Sequence, residues 1–183
     1  GAVNPLGVDM IAASNAVNRI DDYAFTPEQS ISHGITTFVA QNRGAGKRER
    51  IRAGFRRGLT LEFCYWVLIC LTVTIFRRPL MSLFVPEGNE SIVGLGSGYL
   101  AMMAVFYIFP AFTNGMQGFF RGMGNMSITL LGTFIQTSLR VIFVYLLTPR
   151  IGLPGVAYAC AIGWSFMLLV EIPYYFWFMR KQG

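Results

Sequence analysis

Four continuous apolar segments constrain this chain more than anything else in it: Leu59–Phe76, Tyr99–Phe120, Ser127–Leu147 and Gly155–Met179. Each is long enough to cross a bilayer, whose hydrocarbon core is ~30 Å thick and takes about 20 helical residues. The first holds one charge, Glu62, near its start. The second holds none, and the third and fourth hold one each, Arg140 and Glu171. Lipid offers the backbone no hydrogen-bonding partner, so a spanning segment closes its own amides as a helix or joins a barrel. These runs lack the in–out alternation of barrel strands. The expected fold is all-α, a polytopic transmembrane helical bundle. Composition agrees. Hydrophobic residues make up 54% of the chain and charged ones 13%, about half the usual ~25% share of a soluble domain.

The net charge of +6 is unevenly placed. Seven of the 15 basic residues lie between Arg43 and Arg57, the layout of a topology signal rather than of a nucleic-acid-binding face. If that loop is cytoplasmic, alternation of the spans puts Arg121, Arg180 and Lys181 on the same side, ten basic residues in all. Only Arg77, Arg78 and Arg150 fall on the other side, and that pair of arginines can snorkel to headgroups. The charge rule therefore predicts a multi-pass protein of the plasma membrane, with loop 43–57 and the C-terminus cytoplasmic. Cys64, Cys70 and Cys160 all lie inside apolar segments with no CxxC spacing, which argues against a disulfide framework and against a metal site. No nucleophile elbow, P-loop or HExxH pattern is present, so nothing points to an enzyme. Gly94, Gly96 and Gly98 read as a flexible turn.

The first forty residues are more polar. Val8, Ile11, Ala12, Ala16 and Ile20 fall on roughly one helical face, interrupted by Asp9, Asn15, Asn18 and Arg19. Asp21 and Asp22 follow, then Pro27, then a second helical stretch. Beside four spans, this pattern predicts a fifth helix over 7–41, kinked at Pro27, with a polar face turned to other helices or to a water-filled cavity. A basic loop over 42–58 separates it from the span at 59–76. Within that loop Ile51, Phe55 and Leu59 recur every fourth residue, which suits a short helix lying on an anionic membrane surface. The remaining spans are 99–120, 127–147 and 155–179. Gly1–Asn15 has no basic n-region, so no signal peptide opens the chain, which reads as part of a longer polypeptide.

Polar side chains inside lipid are costly and ask for a reason. Asn114 and Gln117 lie one turn apart, just after Pro110, whose missing amide frees a backbone carbonyl. Gly118 and Gly122 form a small-xxx-small pair that lets helices approach closely. These residues fit either a transport cavity or helix–helix contact. Gln136 and Arg140 share a face at i, i+4; Glu171, Asp21 and Asp22 are the carboxylates open to Arg140. Glu62 lies near the basic loop and is expected to pair there with Arg52, Arg56 or Arg57. His33 has no His or Cys neighbour in sequence, and packing is its expected role. Asn89-Glu90-Ser91 matches a glycosylation sequon, a pattern common by chance.

Residues Ile31–Gly46 (ISHGITTFVAQNRGAG), followed by the basic run and an apolar span, resemble the multidrug and toxic compound extrusion (MATE) family. Its signature lies between the second and third helices of each lobe, and the matching positions are Gly34, Thr37, Gln41, Asn42, Gly44, Ala45 and Gly46. Phe120–Met126 (FRGMGNM) is similar to the family's glycine-rich link between two spans. Pro149–Ala157 (PRIGLPGVA) is similar to the lead into a lobe's last span. The resemblance covers nearly the whole chain. It implies about five helices of a six-helix C-terminal lobe, with the N-terminal lobe of the same polypeptide, the lipid bilayer and a small organic substrate as partners.

The resemblance further implies export of organic, often cationic, compounds in exchange for Na⁺ or H⁺ by alternating access, with no cofactor beyond the coupling ion. The residues expected at the substrate or ion cavity are Asn18, Asp21, Asp22, Asn114, Gln117, Gln136 and Arg140. Some members carry an acid in the span matching Tyr99–Phe120. This chain has none there, which leaves Asp21 and Asp22, or acids in helices outside this chain, for ion coupling. The family's orientation puts the signature loop in the cytoplasm, as the charge rule does. Two other readings stay open. One is a lipid-linked saccharide flippase of the wider superfamily, whose cavity would carry several arginines. The other is a non-transporting membrane anchor or assembly subunit, which would not need Pro110, Asn114, Gln117 and Arg140 at membrane depth.

Overall fold

A computed structural model of the chain describes residues 7–181. The described residues form six helices: α1 Val8–Gly44, α2 Arg48–Ser82, α3 Glu90–Phe106, α4 Ile108–Gly122, α5 Met126–Ile151 and α6 Leu153–Lys181. By length and apolarity α2, α5 and α6 can each cross a membrane, and α3 with α4 makes one further, bent span. Their outer faces carry large apolar side chains, among them Leu68, Ile75, Leu130 and Phe134, as contact with lipid tails requires.

α1 earns its place in the bundle by packing. Ala13, Val17, Ile20, Asp21, Ala24, Glu28, Ser32, Ile35 and Val39 are all buried and recur every three or four residues, one stripe of a helix. The helix continues through Pro27 to Gly44. It stops there because Gly46, at φ 68°, takes the left-handed conformation that glycine tolerates. Lys47 N–H then bonds Asn42 O at 2.9 Å, and Gly46 N–H bonds Arg43 O at 3.0 Å. This is the Schellman pattern of helix ends. The same pattern closes α4: Gly124 has φ 69°, with Asn125 N–H on Phe120 O at 2.9 Å and Gly124 N–H on Arg121 O at 3.0 Å. The Arg43 guanidinium donates to Met123 O, so the two helix ends are tied to each other. The glycine signature is thus a pair of matched helix stops on one side of the bundle.

The basic segment differs from the expectation of a separate surface loop. Only residues 45–47 form the turn, and α2 runs unbroken from Arg48 into the apolar span. Ile51 and Phe55 are buried, with the Phe55 ring 4.8 Å from Phe119 and 5.1 Å from Tyr175. These anchors hold the basic turns against α4 and α6, while Arg52, Arg56 and Arg57 stay exposed.

The glycine-rich stretch at 94–98 is helical and not a turn. Gly96 is buried in α3, and a Cβ there would meet Ala13 of α1 at 3.6 Å and press into the Met81 side chain of α2. Its lack of a side chain serves close helix packing. The span then bends by 41° between α3 and α4, at Tyr107. Pro110 explains the position. It has no amide to offer the Phe106 carbonyl four residues back, and its ring clashes with that carbonyl, so α3 ends at Phe106.

Two apolar clusters fill the interior. One joins Ala13–Ala24 of α1 with Val73 and Met81 of α2 and Leu100, Met103 and Tyr107. The other joins Ile35 and Val39 of α1 with Ile51 and Phe55 of α2 and Met116, Phe119 and Phe120 of α4. Between them lies a layer of polar side chains.

Candidate functional site

A cavity of about 520 Å³ opens between α1, α3, α5 and α6. Asn18, Asp21 and Asp22 of α1 line one wall, and Arg140 of α5 lines another, with Tyr99 of α3 and Trp164 of α6 completing it. Asp21 is 7% exposed, and the Tyr107 hydroxyl donates to its Oδ1. Tyr107 is held in turn by the edge of the Phe25 ring, 5.1 Å away. The bend that Pro110 produces therefore presents a hydrogen-bond donor to the buried aspartate. Asp22, its neighbour, is exposed and leaves the cavity an acidic side chain free of that bond. Arg140 is exposed, on a stretch of α5 that packs tightly on Gly163 of α6. A Cβ at Gly163 would lie 2.8 Å from Gln136 O and 3.5 Å from Arg140 Cβ.

The other expected cavity residues lie elsewhere. The Asn114 carbonyl accepts a bond from Ser32 Oγ at 2.5 Å, and its side chain is next to Glu28. Gln117 donates to Thr133 Oγ1 at 3.2 Å, which ties α4 to α5. Gln136 accepts a bond from Thr137 Oγ1 at 3.1 Å. Gly118 and Gly122 form the α1–α4 contact. A Cβ at Gly118 would lie 2.6 Å from Ser32 O, and one at Gly122 would lie 2.7 Å from Thr36 O. Thr36 Oγ1 adds a bond to Gly118 O at 3.1 Å. Of the signature loop, Gln41, Asn42 and Gly46 provide helix-end carbonyls and the left-handed turn, next to Gly44 and Ala45.

Two ion pairs expected from the sequence do not form among the described residues. Both Glu171 oxygens lack a partner; the carboxylate faces Gly132, where a Cβ would be 3.0 Å from Oε1. Arg140 lies eight residues further along α5, about 12 Å at 1.5 Å per residue, and faces the cavity instead. Glu62 does not reach the basic turns. It is fully buried and both its oxygens are also unpartnered. Seven residues separate it from Phe55, two helical turns, so it shares the inward face while the arginines point out. Glu28 was not among the expected site residues. It too is fully buried with neither oxygen bonded. Its signal is the buried stripe of α1, which passes through it.

A family model described as MatE matches residues 2–146, well over half of the chain. The chain belongs to the MatE family. It is similar to the "Probable multidrug resistance protein NorM" of Thermotoga maritima, 27% identical over 152 residues, covering 81% of this chain and 32% of that protein. The protein of the same name from Halalkalibacterium halodurans is 27% identical over 155 residues, covering 81% of this chain and 33% of the relative. The chain thus spans about a third of the length of these curated relatives. Among solved structures, an inward-facing multidrug resistance MATE family transporter of the MOP superfamily superposes with a TM-score of 0.88 at 20% identity, covering 94% of this chain and 39% of that one. MatE membership and this likeness establish the all-α membrane bundle expected from the four apolar runs. The last of these is a multidrug resistance transporter.

Proposed function

We propose that this chain is part of a MATE-type secondary transporter that exports small organic, often cationic, compounds in exchange for Na⁺ or H⁺. The observation that carries this reading is the cavity walled by Asn18, Asp21 and Asp22 on α1 and by Arg140 on α5, inside a member of a transporter family. Charged groups within a membrane bundle are kept where they meet water, substrate or ions. Two carboxylates facing one guanidinium give a wall that favours organic cations over the anionic headgroup of a lipid-linked saccharide. The aromatic rings of Tyr99 and Trp164 add faces on which a flat cation can lie. Alternating access comes from rocking of this bundle against the remaining lobe of the complete polypeptide. The basic stretch at 43–57 and the C-terminus face the cytoplasm, a reading supported by ten basic residues on that side against three.

The experiment uses the complete polypeptide in drug-sensitive cells. Asp22→Asn lowers resistance to a cationic drug by on the order of tenfold, at unchanged expression. Unchanged resistance removes the acidic wall from cation recognition.

A further inference from the structure

The polar layer between the two apolar clusters holds a second feature, separate from the cavity. Tyr65 of α2 donates its hydroxyl to Ala24 O of α1 at 2.9 Å. Ser32 of α1 donates to Asn114 O of α4 at 2.5 Å. Glu28 lies one turn from each of Ala24 and Ser32, between these two ties. Glu62 lies one turn before Tyr65, and its Cγ is 3.8 Å from the Cβ position of Gly115, the neighbour of Asn114. Three helices therefore converge on two glutamates. Both have 0% exposure; among the described residues none of their four oxygens is within hydrogen-bonding geometry of a donor, and the Asn114 amide is the polar group next to Glu28.

We propose that Glu28 and Glu62 form one exchange centre that holds a single monovalent cation, H⁺ or Na⁺, shared between α1 and α2. Two adjacent carboxylates in a low-dielectric interior repel strongly if both are bare. Among the described side chains none supplies the compensating charge, and the Asn114 amide beside Glu28 is neutral. Arg121, two turns beyond Asn114 on α4, is committed to Ser32 Oγ at 2.8 Å and Gln117 O at 3.3 Å. The Tyr65 hydroxyl is taken by Ala24. Tyr107, from the α3–α4 bend, is taken by Asp21, two turns before Glu28 on α1. A proton between the pair leaves one negative charge, and a bound Na⁺ does the same with oxygen ligands from both glutamates and the Asn114 amide. Binding draws α1 and α2 together, and release lets them repel. This gives a cation a differential effect on the packing of α1, the helix that also carries Asn18, Asp21 and Asp22. The centre deepens the reading of a cation-coupled exporter and rests on it for its purpose, but its existence is testable without transport.

The test is infrared difference spectroscopy on the purified complete polypeptide, together with export of ethidium from proteoliposomes. In the wild type, either raising pH or adding Na⁺ at fixed pH removes a protonated-carboxyl C=O stretch. Loss on alkalinisation alone identifies a proton centre, and loss on adding Na⁺ identifies a site where Na⁺ displaces the proton. In Glu28→Gln and in Glu62→Gln the remaining carboxyl keeps a proton of its own, so the band shifts and its titration midpoint moves; the double variant lacks it, and Glu62→Asp, which keeps a carboxyl, restores the two-carboxyl titration. Gradient-driven ethidium export falls on the order of tenfold in each Gln variant, and no further in the double variant, because one ion needs both groups. A wild-type spectrum unchanged by both pH and Na⁺ overturns the proposal, and that measurement needs no variant to fold. A band that keeps its wild-type frequency and midpoint in the double variant belongs to Asp21 or Glu171 and overturns it as well. If the band behaves as stated while no ethidium is exported, the centre stands and the efflux reading falls.

Discussion

Glu171 has two buried oxygens and, among the described residues, a donor for neither. An orphaned buried carboxyl costs stability, and apolar replacements of similar shape are neutral or favourable. Glu171→Met keeps the length and flexibility of the side chain. Its thermal unfolding in the complete protein is expected to match the wild type or to exceed it by on the order of 1 kcal/mol. A loss of that size would mean that Glu171 has a partner within the bundle. Tyr107→Phe acts in the opposite direction. It strips the one donor from buried Asp21 and should destabilise by about 1–3 kcal/mol, read by the same unfolding measurement. At this scale the sequence was partly legible. Arg140, Asp21 and Asp22 stand out because charge is rare near apolar runs, and the structure does bring them to one cavity. Glu62 stands out too, but its side chain turns inward and not to the basic turns. The basic loop beside it in sequence was the obvious partner, although its seven-residue spacing from Phe55 already put it on the inner face. Glu28 was hidden because α1 is polar enough that one more acid attracts no notice.

The helices were easier to read than their ends. A span announces itself because lipid tolerates no unsatisfied backbone, so its apolar run cannot be interrupted. Beyond the hydrocarbon that pressure stops while the helix goes on: α2 covers Arg48–Ser82 where the apolar run covered only 59–76. The glycines at 94–98 misled because glycine is a turn former in water, whereas between helices its missing side chain is what permits contact. A paired substitution tests this. A Cβ at Gly118 meets the Ser32 backbone oxygen at 2.6 Å, while one at Gly94 meets nothing within 4 Å. Gly118→Ala should destabilise by about 1–3 kcal/mol through overpacking. Gly94→Ala should be neutral or stabilise by up to ~1 kcal/mol, the helix propensity of alanine over glycine. Equal effects from the two variants would refute the close α1–α4 contact.

The molecule as a whole joins three devices on one long helix. α1 ends in the glycine stop that Arg43 ties to α4, carries Asn18, Asp21 and Asp22 at the cavity, and holds Glu28 in the polar layer midway between them. A change at any one level therefore acts on the one helix that serves all three. Resemblance to the MATE signature pointed to this architecture before any geometry, because a glycine-terminated helix leaves its mark at fixed positions. The cavity did not show in that way, since its walls come from four helices and arise only on packing. The central claim is that ion flow drives organic cations through this bundle. Its most direct test is ethidium transport by the complete polypeptide in proteoliposomes under an imposed Na⁺ or H⁺ gradient. The account predicts transport that starts with the gradient, stops when an ionophore collapses it, and falls on the order of tenfold with Glu28→Gln. Transport that proceeds equally without a gradient, or none under either gradient, would contradict it.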